Sequence, residues 1–289
     1  MAGRKPRPST EPMYSGGNRN DFPITTGFDS VVYKDLIDSH IRNSENIVIC
    51  QSFHNGYLSA CFAPSERYNP RPRVFGVILY DYDAFLDKVG KNWQLRNGKS
   101  KQIYSLAFDE IAFGAFFMAN YGTTQTIVTN LCDIEKKWED CFQITACAAW
   151  GSTFTIVMTK ETEEYQDKTQ IWFTRTSWED VDTKIEKKYK EGKAVTGICY
   201  STGLGRYFVV MTETLQEQEF MWFRKSDTAA RDEWMDAQHK EGFHPTIIFK
   251  DVSDDQTLIM MTKDENRSGY ACRFDCKVAD LLRPYEVQQ

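Results

Sequence analysis

The sequence lacks any continuous apolar run of about 18 residues, the length that a helix needs to cross a bilayer. Its first 21 residues, MAGRKPRPSTEPMYSGGNRND, contain no apolar core of the kind found in secretory leaders. We therefore expect an intracellular protein, in the cytoplasm, the nucleus or both, that makes no contact with a membrane.

Metal-site and protease motifs are also missing. The eight cysteines form no C-x-x-C pair, and the four histidines form no H-E-x-x-H motif. Cys272 and Cys276 stand close together but have no second pair at a zinc-site spacing. We expect no metal and no cofactor, and without a leader we expect the cysteines to be reduced.

Charge is distributed unevenly along the chain. The net charge is −6, but residues 1–20 carry four basic side chains and one acidic side chain, so the remainder is strongly acidic. An acidic body argues against a broad nucleic-acid-binding face. The segment GRKPRP, with Arg4, Lys5 and Arg7, is a candidate partner-binding or phosphate-contacting tail, and the plainer interpretation of residues 1–21 is a solvated, disordered basic tail.

Aromatic residues are abundant, at 14% of the chain, which favours β structure. Three segments also resemble one another: KKWEDCFQITACAA, KKYKEGKAVTGICY and DAQHKEGFHPTIIF. Each is typical of a helix end, a turn and an apolar strand. Their threonines, Thr145, Thr196 and Thr246, stand 51 and 50 residues apart. This spacing predicts an internal repeat of about 50 residues.

Methionines in the following apolar segments mark the same period. Met158, Met211 and Met261 stand 53 and 50 residues apart, and Met118 takes the corresponding place in a looser copy. We predict one domain over residues 22–289, built from five repeats of one helix and three strands each. The approximate repeat bounds are 33–81, 85–130, 131–175, 177–225 and 227–276.

The best-defined helix of the repeat follows Ser177, a favourable N-cap. Its apolar residues share one face: Trp178, Val181, Ile185 and Tyr189. Gly192 and Gly242 are expected to end two of the helices with a left-handed residue. Cys141 stands at that position in the earlier copy, so we expect the earlier turn to close differently.

One helix and three short strands cannot bury their own apolar faces. Copies stacked around an axis would cover one another. The predicted fold class is therefore mainly β with short helices, a closed five-repeat β-propeller-like ring in which each repeat is a helix plus three strands.

The repeat resembles the C-terminal, non-kinase region of casein-kinase-I-like kinases of plants and algae. That region carries W-x(2–3)-G-[FY]-x-I-T followed by V-[VM]-M-[ST], matched here by KWEDCFQIT with IVMT, KYKEGKAVT with VVMT, and HKEGFHPT with IMMT. The resemblance covers residues 130–276 and, more weakly, 85–130. Tyr189 and His239 replace the tryptophan that Trp138 retains. The catalytic kinase motifs H-R-D and D-F-G are missing.

The resemblance implies a non-catalytic accessory domain. We expect a scaffold or adaptor that binds other proteins, in a kinase- or chromatin-associated complex. The alternative is an enzyme of the guanidino-modifying α/β-propeller type, with Cys272 or Cys276 as nucleophile beside His54 and Asp275 in a central channel. The plainer interpretation of these cysteines is ordinary strand residues.

Two other features have alternative interpretations. The aromatic pairs at 172–173 and 222–223 could stack on bases or sugars, but their recurrence favours core packing. The segment STGLGRY resembles a phosphate-binding loop in composition. Because it lies between two strands, it is typical of a hairpin turn with Gly203 and Gly205 at positive φ.

Overall fold

The computed structural model describes residues 46–54, 57–64, 74–79, 81–93, 101–108, 113–119, 123–160, 169–213, 216–251, 256–263 and 271–277. These ranges contain fifteen strands and four helices. The strands are β1 (Asn46–His54), β2 (Tyr57–Pro64), β3 (Val74–Leu79), β4 (Lys101–Phe108), β5 (Phe113–Ala119), β6 (Thr124–Val128), β7 (Gln143–Trp150), β8 (Thr153–Lys160), β9 (Gln170–Arg175), β10 (Lys193–Ser201), β11 (Arg206–Glu213), β12 (Gln218–Arg224), β13 (Phe243–Asp251), β14 (Gln256–Lys263) and β15 (Ala271–Lys277). The helices are α1 (Tyr82–Trp93), α2 (Cys132–Glu139), α3 (Trp178–Lys190) and α4 (Thr228–Lys240).

The strands form five separate three-stranded antiparallel sheets. Their orders are β1-β2-β15, β3-β5-β4, β6-β8-β7, β9-β11-β10 and β12-β14-β13. In four of them, one edge strand precedes a helix and the other two strands follow it as a hairpin. The hairpin's second strand lies at the centre, between its own partner and the strand before the helix. In the first sheet, β15 pairs with β2.

The predicted fold class is wrong in its architecture. The structure has five separate sheets and no described sheet closes on itself, so the closed propeller-like ring is not shown. The sheets also do not follow the predicted grouping of a helix with its next three strands. A sequence period has no intrinsic starting point, and the strand after each hairpin pairs with the following sheet. The chain is mainly β with four helices in its described part.

None of the helices in the described ranges is both long enough and apolar enough to cross a membrane.

Neighbouring sheets pack face to face through apolar side chains. Between the β9-β11-β10 and β12-β14-β13 sheets, Val195 and Met211 belong to the same buried cluster as Leu258 and Met260, all four with 0% exposure. The edge strands that follow α1, α2, α3 and α4 are neighbours: β4 contacts β7, β7 contacts β10, and β10 contacts β13. The edge strand β1 contacts β4 and β13. Each sheet therefore shields a face of the next, as the small size of the repeat requires.

Both sequence landmarks of the repeat fall at equivalent places. Met118, Met158, Met211 and Met261 lie on the central strands β5, β8, β11 and β14. The threonines lie at β-bulges, where the register shifts between residues 144 and 146, 195 and 197, and 245 and 247. A bulge leaves one residue outside the regular ladder. Each bulge threonine uses its hydroxyl to bond a threonine of the central strand, as in Thr196 with Thr212 at 2.9 Å.

A glutamine bridges each of three neighbouring pairs of sheets. Gln170 on β9 accepts from the Ile144 amide at 2.7 Å and donates to the Ile144 carbonyl at 3.0 Å, at the bulge of the preceding sheet. Its amide nitrogen also donates to Thr212 at 3.2 Å. Gln125 bridges to Ile103 and Thr159, and Gln218 bridges to Val195 and Thr262, in the same way. We call these three residues the glutamine bridges.

The helix boundaries confirm most of the local predictions. Ser177 caps α3 by accepting from the Asp180 amide at 3.2 Å. Gly192 and Gly242 take φ values of +81° and +87°. Cys141 has φ +66°, so the prediction that its turn closes differently is wrong. The turn geometry is the same, and the cysteine adopts a backbone conformation that costs an L-residue about 1–2 kcal/mol.

Substitutions at two of the helix-end turns are predicted to change the free energy of unfolding in opposite directions. Apart from Gly192 itself and its chain neighbours, no atom of the described residues lies within 4 Å of a Cβ built on Gly192, so backbone conformation decides the effect of a substitution there. We expect Gly192→Ala to lower the free energy of unfolding by about 1 kcal/mol. Cys141→Gly should raise it by roughly 0.5–1 kcal/mol, because the relieved strain exceeds the entropic cost of glycine. Urea denaturation measures both, and changes of the same sign would contradict the shared turn geometry.

The glutamine bridges give a second prediction. Gln170→Met keeps the side-chain length but leaves the buried Ile144 backbone groups without their bonds. We expect a loss of roughly 2–4 kcal/mol in the free energy of unfolding. Gln238→Met is the control, because the Gln238 side-chain oxygen is buried and has no hydrogen-bond partner among the residues that the structure describes. Equal losses in the two variants by urea denaturation would mean that the bridge carries no particular stability.

Candidate interaction surface

Two hairpin tips meet at one end of the sheets. The tip between β10 and β11 donates to the Gly151 carbonyl, from the Ser201 hydroxyl at 2.6 Å and from the Gly203 amide at 3.0 Å. A Cβ on Gly203 would lie 2.7 Å from the Gly151 carbonyl carbon, so only glycine fits this close approach. The tips of neighbouring sheets are thus fixed to each other by backbone contacts.

Trp150, the last residue of β7, lies beside this junction. Its ring stacks on Tyr82 of α1 with centroids 5.6 Å apart and meets the Phe113 ring edge-on at 5.2 Å. The Tyr82 hydroxyl is bonded to Thr155 at 2.8 Å, which fixes the ring beneath Trp150. Burial raises the pKa of Tyr82, the bond to Thr155 opposes this rise, and the nearby Asp83 carboxylate adds to it.

Despite these contacts, 37% of Trp150 remains exposed. Leu204, on the adjoining tip, is 45% exposed, and Met221 of β12 completes the large hydrophobic residues exposed within the described ranges. We call Tyr82, Trp150 and Leu204 the tip patch. Aromatic rings that are held rigidly and left partly exposed are enriched in protein interfaces.

Trp150 differs from the residues at the same strand position in two other sheets. Ser201 and Asp251 also end the first strand of a hairpin, but both are buried, and Asp251 accepts from the Tyr207 hydroxyl. The sequence interpretation did not single out Trp150. The available signal was a large aromatic residue where two other copies carry small polar residues.

The predicted candidate residues lie elsewhere. Arg4, Lys5 and Arg7 are outside the described residues, and so is the rest of the predicted tail. The residues of the enzyme alternative divide between two edge strands: His54 ends β1, while Cys272, Asp275 and Cys276 belong to β15. The central strand β2 separates these two strands.

Cys272 is disulfide-bonded, so the expectation that the cysteines are reduced is wrong at this residue. The register places Cys272 opposite Cys61 of β2. The pairing of the last described strand with the second brings distant cysteines into register, which sequence spacing does not reveal. A sulfur in a disulfide is not a free nucleophile.

The repeated aromatic pairs belong to the core, as their recurrence favours. Phe173 and Phe223 are buried, and Trp172 stacks on Phe208 with centroids 5.7 Å apart. Trp222 packs edge-on against Trp178 at 4.8 Å.

The STGLGRY segment is a hairpin turn, as predicted, and Gly205 has φ +59°. Gly203 does not take a positive φ, so that part of the prediction is wrong. It is glycine because of the contact with the neighbouring tip.

The described cysteines include one close thiol pair. Cys199 of β10 is hydrogen-bonded to Cys147 of β7, across the junction of two sheets. Burial raises the pKa of the Cys199 thiol well above its ordinary value, and the bond to Cys147 adds to the rise. Cys132 and Cys141 are exposed. No group of three or more His, Cys, Asp or Glu side chains in the described ranges is arranged to hold a metal ion.

No protein-family model matches the chain, and no curated protein matches it.

The thiol environments predict a labelling order. Iodoacetamide at neutral pH should modify Cys132 and Cys141 in the native protein while Cys199 stays unmodified until urea unfolds the chain. Peptide mass spectrometry after timed labelling measures this order. Rapid native labelling of Cys199 would contradict its burial and its raised pKa.

Proposed function

We propose that this protein is a non-catalytic interaction module, a scaffold or adaptor, that contacts another protein through the tip patch. The observation that carries the proposal is the 37% exposure of Trp150 on a ring fixed by Tyr82 and Phe113. A ring that is already ordered loses little side-chain entropy on binding. Aromatic residues of this kind supply much of the binding energy in protein interfaces.

The described contacts give the enzyme alternative little support. Cys272 is in a disulfide, and β2 separates β15 from His54. The glutamine bridges and the bulge threonines hold the sheets together by hydrogen bonds, which accounts for these recurring polar side chains. Location in the cytoplasm or nucleus, and membership of a kinase- or chromatin-associated complex, are parts of the proposal that rest on the sequence alone.

The test compares partner sets quantitatively. Tagged wild type, Trp150→Ser/Leu204→Ser and the control Met221→Ser are purified from cells, and bound proteins are quantified by mass spectrometry. The control removes an apolar side chain of 41% exposure outside the tip patch. We expect the double variant to lose specific partners about tenfold or more, as hot-spot residues do, while the control retains them.

Thermal melting of the three proteins checks that the double variant is folded. A folded double variant that keeps every partner of the wild type would refute the tip patch as the contact surface. Loss of the same partners by Met221→Ser would refute it as well.

A further inference from the structure

We propose that the tip patch binds a segment of its partner that carries arginine or lysine beside an apolar residue. This inference rests on the proposed function and adds the chemistry of the occupant. The basic side chain would lie against Trp150 and the carboxylates beside Tyr82, and the apolar side chain would lie against Leu204.

The partly exposed indole of Trp150 can accept a cation. Trp150 is stacked on Tyr82, and both rings are held in place by the Thr155 bond and by Phe113. A guanidinium or ammonium group is attracted to the electron-rich face of an aromatic ring, most strongly to tryptophan. A fixed ring with 37% exposure can accept such a contact without first becoming ordered.

Acidic side chains lie at the start of α1, next to Tyr82. Asp81 and Asp83 flank Tyr82 in the sequence, and both are exposed. Asp81 accepts from the Ala84 amide at 2.7 Å, which orients its carboxylate at the start of α1 without neutralising it. The two basic residues of α1, Lys88 and Lys91, both lie beyond its first turn, and Lys91 pairs with Asp87. The charge beside Tyr82 is therefore negative and complements a basic ligand.

A basic residue on the β10–β11 tip determines the orientation of the bound segment. Arg206, the first residue of β11, is exposed on the same hairpin tip as Leu204. A basic ligand group would be repelled on that side and attracted on the side of Asp81 and Asp83. The Leu204 side is left for an apolar residue of the partner.

The probe is a fluorescein-labelled peptide, GRGLGRGLG, compared with versions in which glutamine or glutamate replaces arginine. Fluorescence anisotropy of the full chain gives the Kd of each. We expect the arginine peptide to bind about fivefold tighter than the glutamine peptide, the range typical of a cation on an exposed ring. Its binding should weaken as salt rises from low to physiological concentration.

Two variants and one control locate the site. Trp150→Ser and Asp81→Asn/Asp83→Asn should each abolish most of the preference for arginine, and asparagine preserves the helix cap because it is an equally good N-cap residue. Asp87→Asn is the matched control, since it removes a carboxylate from the same helix away from Tyr82, and the preference should persist. Equal Kd values for the arginine and glutamine peptides, or an unchanged preference in the aspartate variant, would overturn the inference.

The two proposals fail separately. Loss of cellular partners by the Trp150→Ser/Leu204→Ser variant, with no peptide preference for arginine, would retain the interaction module and refute its basic ligand. An arginine preference that depends on Trp150, with no cellular partner lost, would support the basic ligand and refute the proposed function.

Discussion

The structure depends on the hydrogen bonds that join one small sheet to the next. Apolar side chains of each sheet are buried against those of its neighbours. Apolar contact is non-directional, so it does not by itself fix how neighbouring sheets slide against each other. A bulge interrupts the regular ladder of the strand after each helix, and glutamine side chains satisfy both backbone groups at Ile103, Ile144 and Val195. Because both ends of each bond are defined, the relative position of the sheets is defined as well.

The hydrogen bonds between sheets also determine the geometry of the tip patch. With the sheets fixed at the bulge end of their strands, the hairpin tips at the other end meet closely enough for Gly203 to contact Gly151. The aromatic group of Tyr82, Phe113 and Trp150 then spans two sheets and α1. The exposed part of Trp150 is therefore presented by a rigid framework, which is the physical basis for treating it as a binding surface.

Local features of the fold were predictable from sequence because they depend on neighbouring residues. Ser177 caps α3, Gly192 and Gly242 end two helices, and the methionines and threonines mark equivalent strands. The sheet grouping was not predictable, because which edge strand joins a hairpin is decided by non-local pairing. Cys141 shows that the left-handed conformation of this turn also forms where the residue is not glycine. Trp150 was missed because its exposure depends on three other elements, β5, β8 and α1.

Glutamine side chains of one sheet hold the backbone at the bulge of the preceding sheet. Native-state amide hydrogen exchange tests it most directly, at the amides of Ile103, Ile144 and Val195 that donate to Gln125, Gln170 and Gln218. The account predicts that these amides exchange as slowly as those of the central strands β5, β8 and β11, because opening them requires separation of two sheets. Exchange as fast as that of amides in an unstructured reference peptide would contradict it.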